Sequence, residues 1–313
     1  MYAQATSMKL QNALFEGGNA IKNASPIRGD LALPVANQLM SMLQQKYTST
    51  RMAPLGSTGK KGRDQRSGDI DIAVEMDFSQ AQDVQSFIQS KIQGIETNLM
   101  SGLEILSIGY PYSIDGVSGT VQADLMFVPS LDLASFFYHS PNYIKGESSF
   151  KGMVRNVLMI AILKHVPTGV PNTQFENGHT KDLYKYTIKP KQGLVLMHQT
   201  YLGKKGVEVK SKTTIKEDTR VVETSPEKIV EIMLGKGASV LDVNSFESTW
   251  NWLASDKFAY KDQRDAIVKD FIDDLTHEEP KNSDGTMVSK VKAYIDSHGW
   301  DNSVAGALRR GTT

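Results

Sequence analysis

The sequence predicts an α+β protein in which a small mixed β-sheet precedes a largely helical C-terminal region with an inserted β-hairpin. Up to residue 129, helical and strand-like hydrophobic patterns alternate, which is typical of a small mixed sheet covered by helices. A strongly apolar helical pattern runs from 150 to 166, and the chain beyond 224 is mostly helical again. For a chain of 313 residues we therefore expect two domains, residues 1–145 and residues 146–313.

The first elements are a helix, a loop and a strand. The helix is predicted over residues 31–47, with Asp30 as its N-cap and Pro34 in its first turn. A glycine-rich loop follows, and the alternating pattern of residues 69–74 predicts a strand. Residues 79–99 carry apolar side chains at helical spacing, which predicts an amphipathic helix.

Two more strands complete the predicted sheet, at residues 103–110 and 120–128. Between them, Asp115-Gly116 favours a tight hairpin turn, because these residues tolerate a positive φ. Pro129 should end the last strand, since proline cannot donate a hydrogen bond to a central ladder.

The second half begins with the helix predicted over residues 150–166. Its side chains are apolar on most sides, which is typical of a helix buried at the centre of a protein. We expect a hairpin formed by residues 193–202 and 206–215. One helix should begin at Ser225-Pro226, and two further helices should span residues 259–275 and 287–298.

Composition excludes several classes of protein. The chain has 35 lysines and arginines against 35 aspartates and glutamates, so it is not a globally basic nucleic-acid binder, although a local basic patch is compatible with this balance. It has no cysteine, which excludes disulfides, thiolate metal sites and cysteine nucleophiles. The sequence shows no secretory signal pattern and no apolar run of roughly 18 residues, so we expect a cytoplasmic protein with no membrane partner.

Two aspartates on one predicted strand are candidate metal ligands. Asp69 and Asp71 should point to the same face, about 6.5 Å apart along the strand, while the apolar residues between and after them face the core. Such close carboxylates repel each other unless a cation lies between them, and Mg²⁺ prefers carboxylate and phosphate oxygens. Asp124, in the strand at 120–128, is a candidate third ligand for a two-metal site.

The preceding loop is rich in glycine and lysine but is not a P-loop. That motif, G-x-x-x-x-G-K-[ST], would need glycine at Pro54 and serine or threonine at Lys61. The sequence therefore does not favour a P-loop ATPase.

The order and spacing of these features resemble the DNA polymerase beta-like nucleotidyltransferase superfamily. Gly56-Ser57 is followed after eleven residues by Asp69-Ile70-Asp71, and Asp124 provides a later acid within a strand. The sequence looks most like the branch that holds archaeal-type CCA-adding enzymes, poly(A) polymerases and oligoadenylate synthases. The resemblance covers about residues 30–130 and implies that residues 1–145 form the catalytic palm domain.

The resemblance also implies a role for each residue of the motif. Asp69 and Asp71 would bind two Mg²⁺ ions, with Mn²⁺ as a possible replacement, and Asp124 would bind the catalytic ion and help to deprotonate the attacking hydroxyl. Gly56 and Ser57 would hold the phosphates of an NTP such as ATP. Transfer of NMP to an acceptor hydroxyl would then release pyrophosphate.

Other cations are weaker candidates for nucleotide binding. Lys60 lies in the glycine-rich loop, and Lys151 and Arg155 share a helix face where members of this superfamily often place cations that grip the triphosphate. Each of these cations also has an interpretation without a nucleotide. Lys60 would then lie in a solvated loop, and Lys151 and Arg155 would extend from a buried helix to solvent.

A basic segment predicts the acceptor. Residues 181–220 contain ten lysines and arginines against four acids, with tyrosines among them, a pattern that suits the backbone and bases of RNA or DNA. We therefore predict transfer to a nucleic-acid 3′ end, and a nucleic-acid-binding role for residues 146–313. The alternatives are transfer to a small molecule or protein, synthesis of an oligonucleotide or cyclic second messenger, and an inactive nucleic-acid-binding protein.

Overall fold

The computed structural model describes residues 20–139, 150, 152–172, 180–202, 213–278 and 286–298. The chain divides into two compact units, Met1–Lys145 and Gly146–Thr313. The predicted α+β class is confirmed, because a mixed sheet occupies the first unit while helices and an antiparallel sheet form the second. The functional roles predicted for the two halves stay predictions.

The first unit is built around a five-stranded sheet with the order β2-β4-β7-β6-β5. The central strands β4 and β7 are parallel, and their neighbours pair antiparallel. A separate two-stranded pair joins β1 and β3. In chain order the elements are β1 (Ile27–Arg28), α1 (Gly29–Gln44), β2 (Met52–Pro54), β3 (Arg66–Ser67), β4 (Asp69–Glu75), α2 (Ala81–Lys91), β5 (Thr97–Met100), β6 (Ile105–Ile114), β7 (Val117–Val128) and α3 (Leu131–Ala134).

The start of α1 differs from the prediction. The N-cap is Arg28 and makes no side-chain capping bond, while Asp30 lies inside the first turn. There its carboxylate faces the positive end of the helix dipole and accepts a hydrogen bond from Arg28 Nε at 2.6 Å. Because α1 begins earlier than predicted, Pro34 lies in the second turn rather than the first.

The helix predicted over residues 79–99 is wrong in its second half. Helix α2 ends at Lys91, and Gly94 adopts a positive φ of 74°, a conformation that breaks a helix. The residues beyond it form β5, which pairs with β6 at the edge of the sheet. Pairing with a neighbouring strand thus outweighs the local helical pattern.

The predicted hairpin between β6 and β7 is confirmed. Asp115 and Gly116 have φ values of 51° and 75°, the pair of left-handed conformations that a type I′ turn requires. Strand β7 ends at Val128, directly before Pro129, as expected for a residue without a backbone N–H.

The two faces of the five-stranded sheet have different environments. One face packs against α1 and α2 and forms a large apolar core that includes Ile70, Ile72 and Leu125. The other face carries a smaller apolar cluster around Leu55 and Met126, together with α3. Alternation along β4 therefore places Asp69 and Asp71 on the face opposite the large core.

The second unit combines helices with a three-stranded antiparallel sheet of order β10-β9-β8. The predicted strand at 193–202 is β9, while most of the predicted strand at 206–215 lies outside the described residues, and β10 begins at Thr213. The sequence does not predict β8, because the pattern of its residues is polar and rich in lysine. A short connection at residues 190–192 joins β8 to β9, and this local pairing stabilises the extra strand. The elements are α4 (Gly152–His165), β8 (Thr180–Lys189), β9 (Gly193–Leu202), β10 (Thr213–Glu223), α5 (Pro226–Leu234), α6 (Phe246–Ala254), α7 (Arg264–Glu278) and α8 (Thr286–His298).

Helix starts in this unit follow local chemistry. Ser225 caps α5 by accepting a hydrogen bond from the Lys228 N–H, and Pro226 occupies the first helical position, as predicted. Most of α4 is buried, which agrees with its apolar pattern. Within the described ranges, no helix is long and apolar enough to cross a membrane.

Candidate active site

The three aspartates predicted as metal ligands meet on one face of the sheet. In the parallel pair of β4 and β7, Asp71 lies directly opposite Asp124, and alternation places Asp69 on the same face as Asp71. Each residue offers one carboxylate oxygen, and these oxygens lie within 4.8 Å of one another. They form the one cluster of three or more potential metal ligands among the residues that the structure describes.

Burial makes this acidic cluster electrostatically unfavourable when its carboxylates are ionised. The pKa of Asp71 lies well above its usual value because the carboxyl is buried and because the neighbouring aspartates repel its charge. The pKa values of Asp69 and Asp124 are also raised, mainly by burial. A divalent cation relieves both the desolvation and the repulsion, and carboxylate oxygens are the ligands that Mg²⁺ prefers. The donor set therefore fits a hard divalent cation.

Lys61 is a cation that acts on two members of this cluster. Its positive charge opposes the rise in pKa at both Asp69 and Asp71. Its Nζ donates to the Ser67 Oγ at 3.4 Å, and that hydroxyl also lies 3.4 Å from the Ser57 Oγ. One ammonium group thus acts on the acidic cluster and contacts a hydroxyl group that neighbours Ser57 of the glycine-rich loop.

The glycine-rich loop is fastened to the backbone of Asp71. Leu55 N donates to Asp71 O at 2.8 Å, and the Thr58 hydroxyl accepts from Asp71 N at 3.1 Å and donates to Asp71 O at 3.4 Å. Gly56 has a positive φ of 55°, and a Cβ at this position would lie only 2.2 Å from Asp71 Oδ2. The loop therefore approaches the Asp71 carboxylate as closely as only glycine permits.

A histidine contacts the same loop from the turn that follows α3. Residues Ser135–His139 form one π-helical turn, a feature that often occurs at functional sites. The Nδ1 of His139 lies 3.3 Å from the Gly56 carbonyl oxygen, so it donates to that oxygen when it carries the proton. His139 thus helps to hold the loop beside the aspartates.

Asp124 has two neutral polar neighbours. The Gln122 Nε2 donates to both carboxylate oxygens of Asp124 at 3.1 Å. Ser107 lies opposite Asp124 on β6 and is fully buried. Its hydroxyl makes no hydrogen bond of normal distance and angle to the described residues. Its hydroxyl and the Gln122 amide nevertheless oppose the burial-driven rise in the pKa of Asp124. Both groups therefore favour the ionised form of Asp124, which is the form that a metal ion would need.

The remaining candidates for nucleotide binding have different outcomes. Lys60 is half-buried in the loop, and its backbone N–H donates to the Ser57 carbonyl at 3.0 Å. Lys151 lies outside the described residues. Arg155 is buried in α4, where its guanidinium contacts Asn156 Oδ1 and the Val243 carbonyl, and burial lowers its pKa to about 10. Phosphate binding by each of these cations stays a prediction.

The basic segment coincides with the three-stranded sheet of the second unit. Lys189 Nζ donates to Thr219 Oγ1 at 3.4 Å, and burial lowers the pKa of Lys191. Tyr184 stacks on His198 with ring centroids 4.4 Å apart. Lys204 and Lys205 of the predicted hairpin turn, and Lys210 and Lys212 of its predicted second strand, lie outside the described residues.

Several residues around the aspartates are not evident from sequence motifs. For Gln122 the sequence does carry one signal. Gln122 lies two residues before Asp124 in the same predicted strand, so the two side chains are expected on one face of the sheet. Thr58 and His139 reach Asp71 and Gly56 through contacts between elements that are distant in sequence. No local pattern identifies such contacts.

Removing the Ser57 hydroxyl should weaken nucleotide binding modestly. If this hydroxyl donates to a phosphate, Ser57→Ala loses one charge-assisted hydrogen bond, which contributes about 1.5–3 kcal/mol. The dissociation constant of a non-hydrolysable NTP, measured by calorimetry with Mg²⁺ present, should rise about ten- to a hundredfold. Ser118→Ala, at an exposed serine near the hairpin turn, is the matched control. An unchanged dissociation constant for every NTP would make Ser57 a turn residue.

No protein-family model matches the chain, and no curated protein matches it. The mixed five-stranded sheet with its buried acidic triad is consistent with the palm of the nucleotidyltransferase superfamily that the sequence resembles. Membership of that superfamily stays a prediction.

Proposed function

We propose that the protein is a Mg²⁺-dependent nucleotidyltransferase that moves NMP from an NTP to an acceptor hydroxyl. One observation carries the proposal: Asp69, Asp71 and Asp124 meet on one face, directly beside the glycine-rich loop that is fastened to Asp71. Phosphoryl transfer requires convergent carboxylates that can hold metal ions, and hydrogen-bond donors that can hold the phosphates. The three aspartates and the neighbouring loop offer both.

The aspartates would hold up to two divalent ions. Bound Mg²⁺ would supply the positive charge that stabilises the phosphate oxygens of the transition state. Gly56 and Ser57 offer a backbone N–H and a hydroxyl for the phosphates of the nucleotide, and His139 and Thr58 hold this loop in place. Lys61, whose positive charge acts on Asp69 and Asp71, would bind a phosphate that arrives there.

In the proposed reaction, the acceptor hydroxyl oxygen forms a bond to the α-phosphorus of the NTP. The bond from that phosphorus to the bridging oxygen breaks, and pyrophosphate leaves with the electron pair. Asp124 would accept the hydroxyl proton and pass it to solvent. Gln122 and the Ser107 hydroxyl support this role because they favour the ionised carboxylate.

The proposed acceptor is the 3′ end of a nucleic acid. The support for this choice is the density of positive charge in residues 181–220 of the sequence. A small molecule, a protein or a second nucleotide would need no such basic segment, and each is an outcome of the test below.

The proposal is tested by incubating the protein and Mg²⁺ with each labelled NTP, with and without RNA or DNA. We expect label on the nucleic acid and release of pyrophosphate. Asp115→Asn is the matched control variant, because Asp115 is exposed in the hairpin turn of the same sheet and asparagine tolerates its positive φ. Label on nucleotides, small molecules or protein alone would assign a different acceptor. Absence of any labelled product with every NTP would refute the activity.

The acceptor is tested separately through its dependence on salt. Replacing Lys204, Lys205, Lys210 and Lys212 with glutamine removes four positive charges, and each charge that contacts a phosphate releases counterions. We expect weaker RNA or DNA binding and a slope of log affinity against log salt that is shallower by up to about 3–4. Mg²⁺-dependent NTP binding should not change. If the variant binds nucleic acid as wild type does, this segment is not the acceptor site.

A further inference from the structure

Gln122 is a neutral side chain inside the acidic cluster. It is 2 % exposed, lies two residues before Asp124 on β7, and pairs with Asp69 in the parallel register of β4 and β7. It therefore shares a face with all three aspartates. A buried amide at this position needs partners for both its NH₂ group and its oxygen.

Both ends of the Gln122 amide have partners. Its Nε2 donates to Oδ1 and to Oδ2 of Asp124, each at 3.1 Å, and its Oε1 accepts from the backbone N–H groups of Ala20 at 2.9 Å and Ile21 at 3.2 Å. The reversed amide would place oxygen against a carboxylate and NH₂ against two N–H donors, so chemistry determines the orientation. Gln122 thus bridges the N-terminal segment and Asp124.

The N-terminal segment is docked on the sheet independently of Gln122. Ser25 N donates to Thr120 O at 2.9 Å, and Lys22 N donates to Glu96 Oε1 at 3.1 Å. The Ile21 side chain is 2 % exposed, and a Cβ on Gly109 would lie 3.0 Å from its Cγ2. Gly109 pairs with Gln122 in the register of β6 and β7, so the missing side chain makes room where the segment crosses the sheet.

We propose that Gln122 is a positioning residue for Asp124 and that the backbone of Ala20 and Ile21 is its second anchor. The inference rests on the proposed function, since it requires Asp124 to bind a metal. Two hydrogen bonds from one planar amide restrict rotation of the carboxylate, so less freedom is lost when a metal binds. An amide also carries no charge, so unlike a lysine it does not compete with the cation.

The first test compares the full-length wild type with Gln122→Met and Gln122→Glu. Methionine keeps the length of the side chain and removes all four hydrogen bonds, whereas glutamate keeps an acceptor for the N-terminal segment and places a carboxylate against Asp124. Mn²⁺ is titrated without nucleotide, and kcat and KM are measured with labelled NTP. We expect about 10- to 100-fold weaker Mn²⁺ binding and a similar loss of kcat in Gln122→Met, because such supporting contacts tune metal sites to this extent. Gln122→Glu should lose kcat to a similar extent, because its carboxylate repels Asp124 instead of holding it, while its added negative charge opposes a loss of Mn²⁺ affinity. The KM for NTP should change little.

The second test reaches the same contact from the N-terminal side and does not disturb the sheet. Ala20→Pro removes one of the two N–H donors to Gln122, and Ala20→Gly, which keeps the donor, is the matched control. We expect a two- to tenfold loss of Mn²⁺ affinity, to order of magnitude, in the proline variant alone. This pair of variants also decides the question if Gln122→Met does not fold.

The outcomes separate this inference from the proposed function. Variants that melt at a lower temperature but keep wild-type Mn²⁺ affinity and kcat would show a purely structural role for Gln122 and leave the proposed function intact. A wild type that binds Mn²⁺ but transfers no nucleotide would refute the proposed function, while the Mn²⁺ affinities would still test Gln122. A wild type that binds no Mn²⁺ would overturn both.

Discussion

Replacing Asp71 with asparagine should lower nucleotide transfer by roughly 10³-fold or more, which corresponds to about 4 kcal/mol of lost transition-state stabilisation. Asparagine keeps the volume of the side chain but removes the charge at the centre of the cluster, opposite Asp124 and beside Asp69. The rate of label transfer from NTP at saturating Mg²⁺ measures the effect. The control, Asp115→Asn, should retain wild-type turnover.

In the absence of metal, the same variant should be more stable than wild type, by an amount that grows as the pH rises. In the folded protein the pKa of Asp71 is raised above its ordinary value of 3.8, so the folded state favours the protonated carboxyl. The stability that depends on this proton is present below the ordinary value and is lost as the pH rises through the raised pKa. Asparagine does not ionise. As the pH rises above 3.8, the melting temperature of Asp71→Asn should therefore increasingly exceed that of wild type.

Mg²⁺ should reverse this difference. Binding to the folded state stabilises wild type by mass action, and the variant, which lacks a ligand, should gain much less. Thermal melts from about pH 4 to about pH 8, with and without Mg²⁺, measure both effects. The electrostatic account would fail if the two proteins melted together across this range in the absence of metal, and the metal assignment would fail if Mg²⁺ stabilised both equally.

Gly56→Ala should disable the site for two reasons, a clash with Asp71 and backbone strain. The new Cβ would lie 2.2 Å from Asp71 Oδ2, so either the loop or the carboxylate must move. Alanine at a φ of 55° adds strain of about 1–2 kcal/mol. We expect Mn²⁺ affinity to fall at least about tenfold and nucleotide transfer to fall by roughly 10²-fold or more, because small displacements of reacting groups have effects of this size.

Gly116→Ala separates the two causes. Gly116 also has a positive φ, of 75°, but a Cβ there would meet no atom within 4 Å among the described residues. This variant should lose a similar amount of stability through strain and keep wild-type metal affinity and turnover. Equal metal affinity in Gly56→Ala and Gly116→Ala would mean that the glycine-rich loop does not need its close approach to Asp71.

Much of the local structure follows from the sequence, because it depends on residues that are close together in the chain. The spacing of Asp69 and Asp71 on a strand requires a shared face, and Asp115-Gly116 specifies a type I′ turn. Ser225-Pro226 specifies a helix start through one hydroxyl and one fixed φ. In each case, the controlling interaction spans only a few residues.

Tertiary structure decided which of these local elements meet. The register of β4 and β7 places Asp124 opposite Asp71, and a shift of one residue would turn Asp124 to the other face. The strand β5 forms where a helix is predicted because β6 provides its hydrogen-bonding partner. The contacts from Thr58 to Asp71 and from Gln122 to Ala20 join residues 13 and 102 positions apart. Such contacts depend on the packing of the whole sheet, since the free energy that stabilises them comes from burial and pairing between distant segments rather than from local propensity.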